Sequence, residues 1–352
     1  MPPLPSSRLR GHDSISLVQA LQLVGSAGDL ATGQPLGTAE RAARLAQLLA
    51  GAAGVTAANA VYAGLVAQLR WAGSPAGAPG FAALLGDDIG ARRALLADPF
   101  ARRPGGLKPL ADIQAEVAGE LAALLGLPGA VEDALRRLSA HGANRPELAH
   151  IALLAGDLEI LARSHGLETA LPLLRRLAGR RYPASLVELA APLAGAWLQE
   201  LAQPQDSIFL LPAFLPVSAP LAPVADAIEL KLPWLAGYAR RVALLAQQAA
   251  QLAGLPDDVQ RRLVRAALLH GLGRAGVPYP VWQGRARLEG AAREAVRRAP
   301  YCTALALGRI AGLEDEAALA SQVYERLDGS GYYRSLDAEA LGQPQRILAA
   351  AA

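Results

Sequence analysis

The sequence predicts an all-α protein made of two tandem helical domains. Alanine and leucine, both strong helix formers, dominate a chain of 352 residues that is 52% hydrophobic and only 18% charged. Apolar residues recur at helical spacing, as at Leu45, Leu48 and Leu49, and the alternation of β-branched residues that is typical of strands is nearly absent. Related segments also stand on the two sides of a proline-rich stretch, which favours a duplicated domain.

Glycine and proline mark the breaks between the predicted helices. In the first half, the breaks fall at 33–35, 73–80, 104–106 and 127–129. The apolar stretch 207–225 has the length of a membrane span, but four prolines interrupt it, so we interpret it as linker and expect no span. The predicted organisation is an N-terminal domain over 14–203, a proline-rich linker over 204–223 and a C-terminal domain over 224–352.

Three pairs of segments indicate the duplication. They are Gly37-Thr38-Ala39-Glu40-Arg41 with Gly237-Tyr238-Ala239-Arg240-Arg241, Leu69-Arg70-Trp71-Ala72-Gly73 with Leu269-His270-Gly271-Leu272-Gly273, and 137–142 with 326–331. One match would mean little in a chain rich in alanine and leucine. Three matches in the same order argue that one helical domain occurs twice.

Composition and charge exclude several classes of protein. The high hydrophobicity excludes a disordered chain, and the single cysteine excludes a disulfide scaffold or a cysteine-based zinc site. The net charge of +3 comes from arginines spread along the chain, which does not favour direct nucleic-acid binding. The first residues lack the basic-then-apolar order of a signal peptide, so we expect a cytoplasmic protein.

Two motifs of the second half resemble the HD-GYP subgroup of HD-type phosphohydrolases. Residues 266–278, AALLHGLGRAGVP, resemble the central helix and turn of that family, and residues 324–332, YERLDGSGY, resemble the loop that names the subgroup. The resemblance covers about 230–352 well and 15–195 faintly. It implies a tandem arrangement like that of bacterial regulators with two HD domains, which a DNA-binding segment often follows. This chain ends inside an expected helix, as a chain cut before such a segment would.

The resemblance also implies which positions would hold the divalent metal ions that activate water for attack on a phosphodiester. This chain keeps His270 of that set. Other residues stand at the remaining positions: Tyr238, Gly271, Ala299, Val323 and Tyr324 in the second half, and Thr38, Arg70 and Trp71 in the first. Because such a site needs about three protein ligands, we expect no metal and no cofactor, and neither half to be a metal phosphodiesterase.

The replacements favour a small-molecule site in the C-terminal cleft. Several are aromatic in a chain with only 5% aromatic residues, which is typical of an aromatic-lined pocket, although bulky side chains would also fill the space that metals left. Arg274 stands where the family keeps a phosphate-facing lysine, and arginine also binds phosphate. The candidate ligand-binding residues are Tyr238, Arg241, His270, Arg274, Trp282, Tyr301, Tyr324, Glu325, Asp328, Tyr332 and Trp71. Structural roles remain open for His270 in the core, Asp328 in a turn and Glu325 in an ion pair.

The main hypothesis is a non-catalytic regulatory protein that binds a planar or anionic small molecule, with a cyclic dinucleotide as the family-based choice. The alternative is a metal-free acid/base enzyme for a natural-product-like substrate, with His270, Tyr238 and Tyr324 as catalytic residues. Further alternatives are a residual cyclic-dinucleotide phosphodiesterase and a protein-interaction module. The expected partners include a second copy of the chain, through apolar helical faces, and a separate DNA-binding or output protein.

Overall fold

Helices account for almost all the regular structure of the computed structural model, which describes residue 9 and residues 11–140, 142–203, 212–284 and 288–352. The α-helices, α1 to α19 in chain order, are Leu17–Ala31, Thr38–Ala52, Ala57–Leu69, Ser74–Leu85, Gly90–Ala97, Leu107–Leu124, Gly129–Arg136, Glu147–His165, Leu167–Leu177, Ala184–Ala190, Ala194–Ala202, Ala222–Glu229, Tyr238–Leu252, Asp257–Leu269, Tyr279–Gln283, Gly290–Arg297, Ala299–Leu307, Glu314–Ser321 and Gln343–Ala351. Short 3-10 helices span Gly142–Asn144, Pro233–Leu235 and Leu272–Gly276. The predicted all-α fold is confirmed. Among the residues described, no helix is long and apolar enough to cross a membrane.

Among the described residues, one small antiparallel sheet is the exception to the helical architecture. Strand β1, Ser14–Ser16, pairs with strand β2, Ser218–Pro220, so that Ile15 lies opposite Ala219. The backbone N–H of Leu221 extends the pairing by donating to the carbonyl of Asp13 at 2.7 Å. The prolines that indicate a linker around 216–223 therefore do not prevent a short edge strand, because an edge strand needs few of its own N–H groups.

The chain divides into two compact units. The C-terminal unit contains residues 218–352 together with the described residues up to Leu23, and the N-terminal unit contains residues 24–217. Residues 14–23, which the sequence places in the N-terminal domain, thus group with the C-terminal one, because β1 pairs with β2. Residues 204–211 of the predicted linker lie outside the described residues, and the predicted boundaries stay a prediction.

Both units contain a helix pair of the same local construction. Helices α2 and α3 form the pair in the N-terminal unit, and α13 and α14 form it in the C-terminal unit. A glycine in the left-handed region precedes each pair, Gly37 with φ 89° and Gly237 with φ 72°. A buried carboxylate then accepts the N–H of the second helical residue. Asp29 accepts it from Ala39 at 3.0 Å, and its counterpart Glu229 accepts it from Ala239 at 2.6 Å.

The turn that follows each pair is held against the backbone of another helix. A Cβ atom at Gly73 would overlap the carbonyl group of Gln114 on α6, and a Cβ atom at Gly273 would overlap that of Ala299 on α17. The hydroxyl of Thr303 also accepts the N–H of Gly273 at 2.9 Å. The absence of a side chain at these two positions therefore permits the contact that positions residues 70–73 and 270–273.

Replacing Gly73 by alanine is expected to destabilise the protein by about 3 kcal/mol, because the backbone of α6 has to move away from the new methyl group. The control is Gly51→Ala on α2, where a Cβ atom meets nothing within 4 Å. That change is expected to raise the free energy of unfolding by about 0.5–1 kcal/mol. Urea unfolding measures both variants, and equal effects would contradict the close contact.

Asp29 predicts a pH dependence of stability. Burial raises the pKa of its carboxyl from 3.8 to about 8, and the charge of Glu159 adds to the effect, while the N–H of Ala39 opposes it. Between these pH values the native state holds a proton that the unfolded chain has lost. The free energy of unfolding therefore falls as pH rises, by up to about 1.4 kcal/mol per pH unit.

In thermal unfolding between about pH 5 and 8, Asp29→Asn is expected to lose less stability than the unmodified protein, because the amide does not titrate. The exposed Asp98 of the same unit provides the control, Asp98→Asn. A pH profile of Asp29→Asn that matches the unmodified protein would show that this carboxyl is already ionised in the native state.

Candidate functional site

The candidate site of the C-terminal unit begins where α14 ends, at the buried His270. Its Nδ1 lies 2.6 Å from the carbonyl oxygen of Ala267, and its Nε2 lies 3.2 Å from Nη2 of Arg274. A carbonyl only accepts and a guanidinium only donates, so Nδ1 carries the proton and Nε2 accepts. Burial, and secondly the charge of Arg274, lower the pKa of His270 to about 3. The imidazole is therefore neutral at physiological pH.

Arg274 lies at the centre of a cluster of aromatic side chains. Its Nη2 donates to the hydroxyl of Tyr324 at 2.7 Å, and its Cζ lies 5.4 Å from the ring centroid of Tyr238. The Tyr238 ring contacts the ring of His270 at 5.6 Å, and Tyr324 stacks on Tyr332 at 5.2 Å. The structure thus brings five of the predicted site residues together. We call Tyr238, His270, Arg274, Tyr324 and Tyr332 the Arg274 cluster.

Glu325 and Asp328 shape the loop beside the Arg274 cluster. The buried carboxylate of Glu325 accepts the backbone N–H of Arg334 at 2.7 Å and that of Leu336 at 2.9 Å. The sequence suggests an ion pair as the structural role of Glu325. In the structure, its carboxylate instead binds these two backbone amides. The exposed Asp328 accepts the N–H and the hydroxyl of Ser330, and both bonds lower the pKa of its carboxyl. Asp328 therefore forms a turn, as its structural alternative predicts.

The remaining predicted residues lie outside the Arg274 cluster. Arg241 donates to a backbone carbonyl in the preceding turn at 3.3 Å, and Tyr301 contacts another tyrosine ring at 5.5 Å. Trp282 lies on α15, and its buried Nε1 has no hydrogen-bond partner among the described residues. Trp71 belongs to the N-terminal unit, where it lines a cavity of about 340 Å³.

The space beside Arg274 is small in this structure. The cavity that Arg274 and Gly271 line has a volume of about 10 Å³, which is room for about one water molecule. Lys231 and Glu229 line the same cavity. Lys231 is buried and donates to the carbonyl of Ala275 at 2.8 Å, and burial raises the pKa of Glu229. The open cleft that the sequence suggests is therefore closed at this point.

A divalent metal ion does not fit the Arg274 cluster. Within the described part of the chain, no three side chains of His, Cys, Asp or Glu lie close enough together to share an ion. The histidine that the family resemblance retains directs its Nε2 lone pair at Arg274. A guanidinium at that position repels a cation and takes up the lone pair that a metal would need.

The N-terminal unit contains a second candidate site that sequence reasoning missed. Arg70 occupies the repeat position of His270, at the end of α3, and lines the 340 Å³ cavity together with Trp71. The cavity wall carries six basic side chains, Arg70, Arg92, Arg103, Lys108, Arg145 and Arg181. These residues are far apart along the chain, so the sequence shows them only as a scattered excess of basic residues and does not indicate that they share a site. The signals for this site in the sequence are Arg70 and Trp71, which stand where the family resemblance implies metal ligands.

Comparisons with known proteins find a match to the HD domain in the C-terminal part of this chain. Residues 223–352 match the family model of the HD domain. The 3'3'-cGAMP-specific phosphodiesterase 3 of Vibrio cholerae is 28% identical over 245 residues, which are 63% of this chain and 53% of that protein. The 3'3'-cGAMP-specific phosphodiesterase 1 of the same organism is 28% identical over 128 residues, 36% of this chain and 30% of that protein. The matches thus span about half of the first relative and less than a third of the second.

A crystal structure of cyclic GMP-AMP-specific phosphodiesterases of V. cholerae has a similar fold. It matches with a TM-score of 0.65 and 18% identity, over 96% of this chain and 98% of that one. At this identity, the similarity shows the fold alone.

The relatives overturn two expectations. Both curated relatives are named as phosphodiesterases, so the hypothesis of a non-catalytic protein is wrong, as is the expectation that the chain is no metal-dependent phosphodiesterase. Both inferences equated the loss of family ligands with the loss of catalysis. That step fails because a list of substituted positions does not show which other side chains reach the reacting group. The expected cytoplasmic location and the expected protein partners stay predictions.

Removal of the Tyr324 hydroxyl is expected to destabilise the protein by about 1–2 kcal/mol, because Tyr324→Phe takes an acceptor away from the half-buried Arg274 cation. Tyr301→Phe is the matched control, since Tyr301 is 45% exposed and contacts Tyr333 through its ring, which the change keeps. Urea unfolding compares the two variants. If both unfold at the same urea concentration, the Tyr324 hydroxyl does not hold Arg274 in solution.

Proposed function

We propose that the protein is a phosphodiesterase that hydrolyses a cyclic dinucleotide at its C-terminal unit, where residues 223–352 match the family model of the HD domain. The observation that carries the proposal is the Arg274 cluster, in which a guanidinium is held beside stacked tyrosine rings. The substrate class comes from the relatives, which are named for 3'3'-cGAMP. This proposal corresponds to one of the further alternatives that the sequence leaves open, the cyclic-dinucleotide phosphodiesterase.

Arg274 is the residue we propose to bind the phosphodiester. Hydrolysis adds water across one P–O bond and leaves a terminal phosphate on one nucleotide and a hydroxyl on the other. Negative charge grows on the non-bridging oxygens as water attacks, and a fixed cation beside them lowers the barrier. A guanidinium also matches the geometry of two phosphate oxygens at once.

His270 and Tyr324 are positioning residues in this proposal. They accept from Nη2 of Arg274 at 3.2 and 2.7 Å, which fixes the plane of the guanidinium. Since His270 is neutral and buried, it holds Arg274 without neutralising its charge. The positive charge of Arg274 therefore remains available to a phosphate.

The tyrosine rings are proposed to contact the bases. Tyr324 and Tyr332 stack at 5.2 Å with 14° between their planes, and flat rings of this kind stack on nucleobases without regard to sequence. The cavity beside Arg274 holds about one water molecule, so the side chains that cover Arg274 have to move apart before a dinucleotide binds. The binding step of the proposal thus includes an opening of the Arg274 cluster.

A finer part of the proposal is that both HD repeats are degenerate in their ligand sets. Gly271 follows His270 where the family has an aspartate, and Arg274 lies against the imidazole. The guanidinium would then supply part of the positive charge that metal ions supply in family members with complete sites.

The test is a hydrolysis assay of the full chain with 3'3'-cGAMP and other cyclic dinucleotides, read out by chromatography of the linear products. It is run with added Mn²⁺, with added Fe²⁺ and with a chelator. Arg274→Gln is expected to lower kcat/KM about 100-fold. The control, Arg309→Gln, replaces an exposed arginine of the same unit and is expected to keep full activity.

Arg274→Lys separates charge from geometry. It keeps the positive charge but loses the two-point contact, so its activity is expected between those of the unmodified protein and Arg274→Gln. The proposal fails if the unmodified protein hydrolyses none of the cyclic dinucleotides under any of the three conditions. It also fails if Arg274→Gln is as active as the unmodified protein.

A further inference from the structure

We propose that the 340 Å³ cavity of the N-terminal unit binds a nucleotide, which places its phosphate among the arginines and its planar base beside Trp71 and Phe81. The cavity lies wholly within residues 24–217 and is separate from the Arg274 cluster. Its volume falls in the range of small-molecule sites in proteins. The binding site therefore adds to the proposed hydrolysis and does not depend on it.

The cavity is built around the turn that follows α3. Arg70 and Trp71 form the turn, Phe81 comes from α4, Arg92 from α5 and Gln114 from α6. Arg145 and Arg181 add two further basic side chains from segments that are distant along the chain. These side chains converge because the Gly73 turn lies directly against the backbone of α6.

The charges of the cavity wall do not balance. Arg181 pairs with Asp157 through two hydrogen bonds, and Lys108 pairs with Asp112 at 2.8 Å. Arg70, Arg103 and Arg145, in contrast, have no carboxylate within ion-pair distance among the described residues. Unpaired cations held close together repel one another, so the cavity attracts an anion.

Four hydrogen-bond donors of the cavity wall have no partner. They are Nε of Arg70, Nε1 of Trp71, Nε2 of Gln114 and Nε of Arg145, and none of these buried atoms has a hydrogen-bond partner among the described residues. Arg70 is only 3% exposed and Arg145 only 8%. Buried donors are rarely left unsatisfied in proteins, because each costs free energy. The four side chains line the cavity but these atoms are themselves buried, so acceptor oxygens of a ligand would reach them only after the side chains turn toward the cavity.

The local electrostatics agree with an anionic ligand. Burial lowers the pKa of Arg70, and burial followed by the charge of Arg181 lowers those of Arg103 and Arg145, while the charge of Asp157 opposes the shift in all three. Burial lowers the pKa of Arg92 to about 10. A phosphate bound among these side chains would counteract this effect, because an opposite charge favours the charged form.

Aromatic side chains in the wall indicate that the ligand also has a planar part. The Cζ of Arg70 lies 4.7 Å from the ring centroid of Trp71, and that of Arg92 lies 4.2 Å from the centroid of Phe81. Arginine guanidinium groups and aromatic rings both stack on nucleobases. Inorganic phosphate, in contrast, would contact only the arginine side chains. Phosphate oxygens and a base in one molecule make a nucleotide. A cyclic dinucleotide, its linear product and a free purine mononucleotide all share this chemistry.

The test is calorimetric titration of the full chain with 3'3'-cGAMP, its linear product, GMP and inorganic phosphate. Each titration is repeated with Arg274→Gln, which removes the proposed C-terminal phosphate contact. We expect saturable binding of at least one nucleotide that persists in Arg274→Gln. Binding is expected to weaken as salt is added, because ions screen the arginines.

Two adjacent arginines provide a matched pair of variants. Arg103 lines the cavity and its side chain is exposed, so Arg103→Gln is not expected to disturb the fold. It is expected to weaken nucleotide binding about tenfold. Arg102→Gln makes the same change in charge outside the cavity wall and is expected to leave binding unchanged. Arg70→Met is expected to weaken binding at least as much as Arg103→Gln.

Three outcomes would overturn the inference: no nucleotide binds, Arg103→Gln binds as well as Arg102→Gln, or inorganic phosphate binds as tightly as every nucleotide. Binding without hydrolysis would contradict the proposed function and leave this inference standing. Hydrolysis without binding in the N-terminal unit would support the proposed function and contradict this inference.

Discussion

Both candidate sites depend on the close contact between a glycine turn and the backbone of a neighbouring helix. The contacts at Gly73 and Gly273 leave no room for a Cβ atom, so each turn is held directly against a helix. Arg70 and His270 lie three residues before these glycines and immediately after a helix. The position of each site is therefore determined by rigid backbone packing, and the chemistry of each site depends on the side chains that the turn presents.

Arginine dominates both sites, with different consequences. In the C-terminal unit, a single arginine is held by a neutral imidazole and a tyrosine hydroxyl in nearly closed surroundings. In the N-terminal unit, several arginines face a cavity of about 340 Å³ with few carboxylates to balance them. Since a guanidinium keeps its charge and offers fixed donors, it suits phosphate ligands in either setting. The two repeats thus present one type of charged group in two different settings, one nearly closed and one open to a cavity.

Much of the fold follows from local patterns in the sequence. Helical periodicity and the paired segments predict the helices and the duplication, and the structure shows α2 and α3 repeated as α13 and α14. The pairing of β1 with β2 could not be predicted, because a three-residue strand carries too little periodicity to be recognised. The family resemblance also named the five residues of the Arg274 cluster as candidate site residues, and the structure places them in contact with one another. It did not reveal that Glu325 binds two backbone amides, since those amides lie nine and eleven residues further along the chain.

The sequence by itself determined the helices and the glycine turns, since each is a property of neighbouring residues. It did not determine function, and the inference from lost ligands to lost catalysis was wrong. Only the tertiary structure decided that Arg274 lies against His270 and that the N-terminal arginines share one cavity. The physical reason is that electrostatic energy depends on distances in space. Residues as far apart as Arg70 and Arg181 become one charged surface only after the chain has folded.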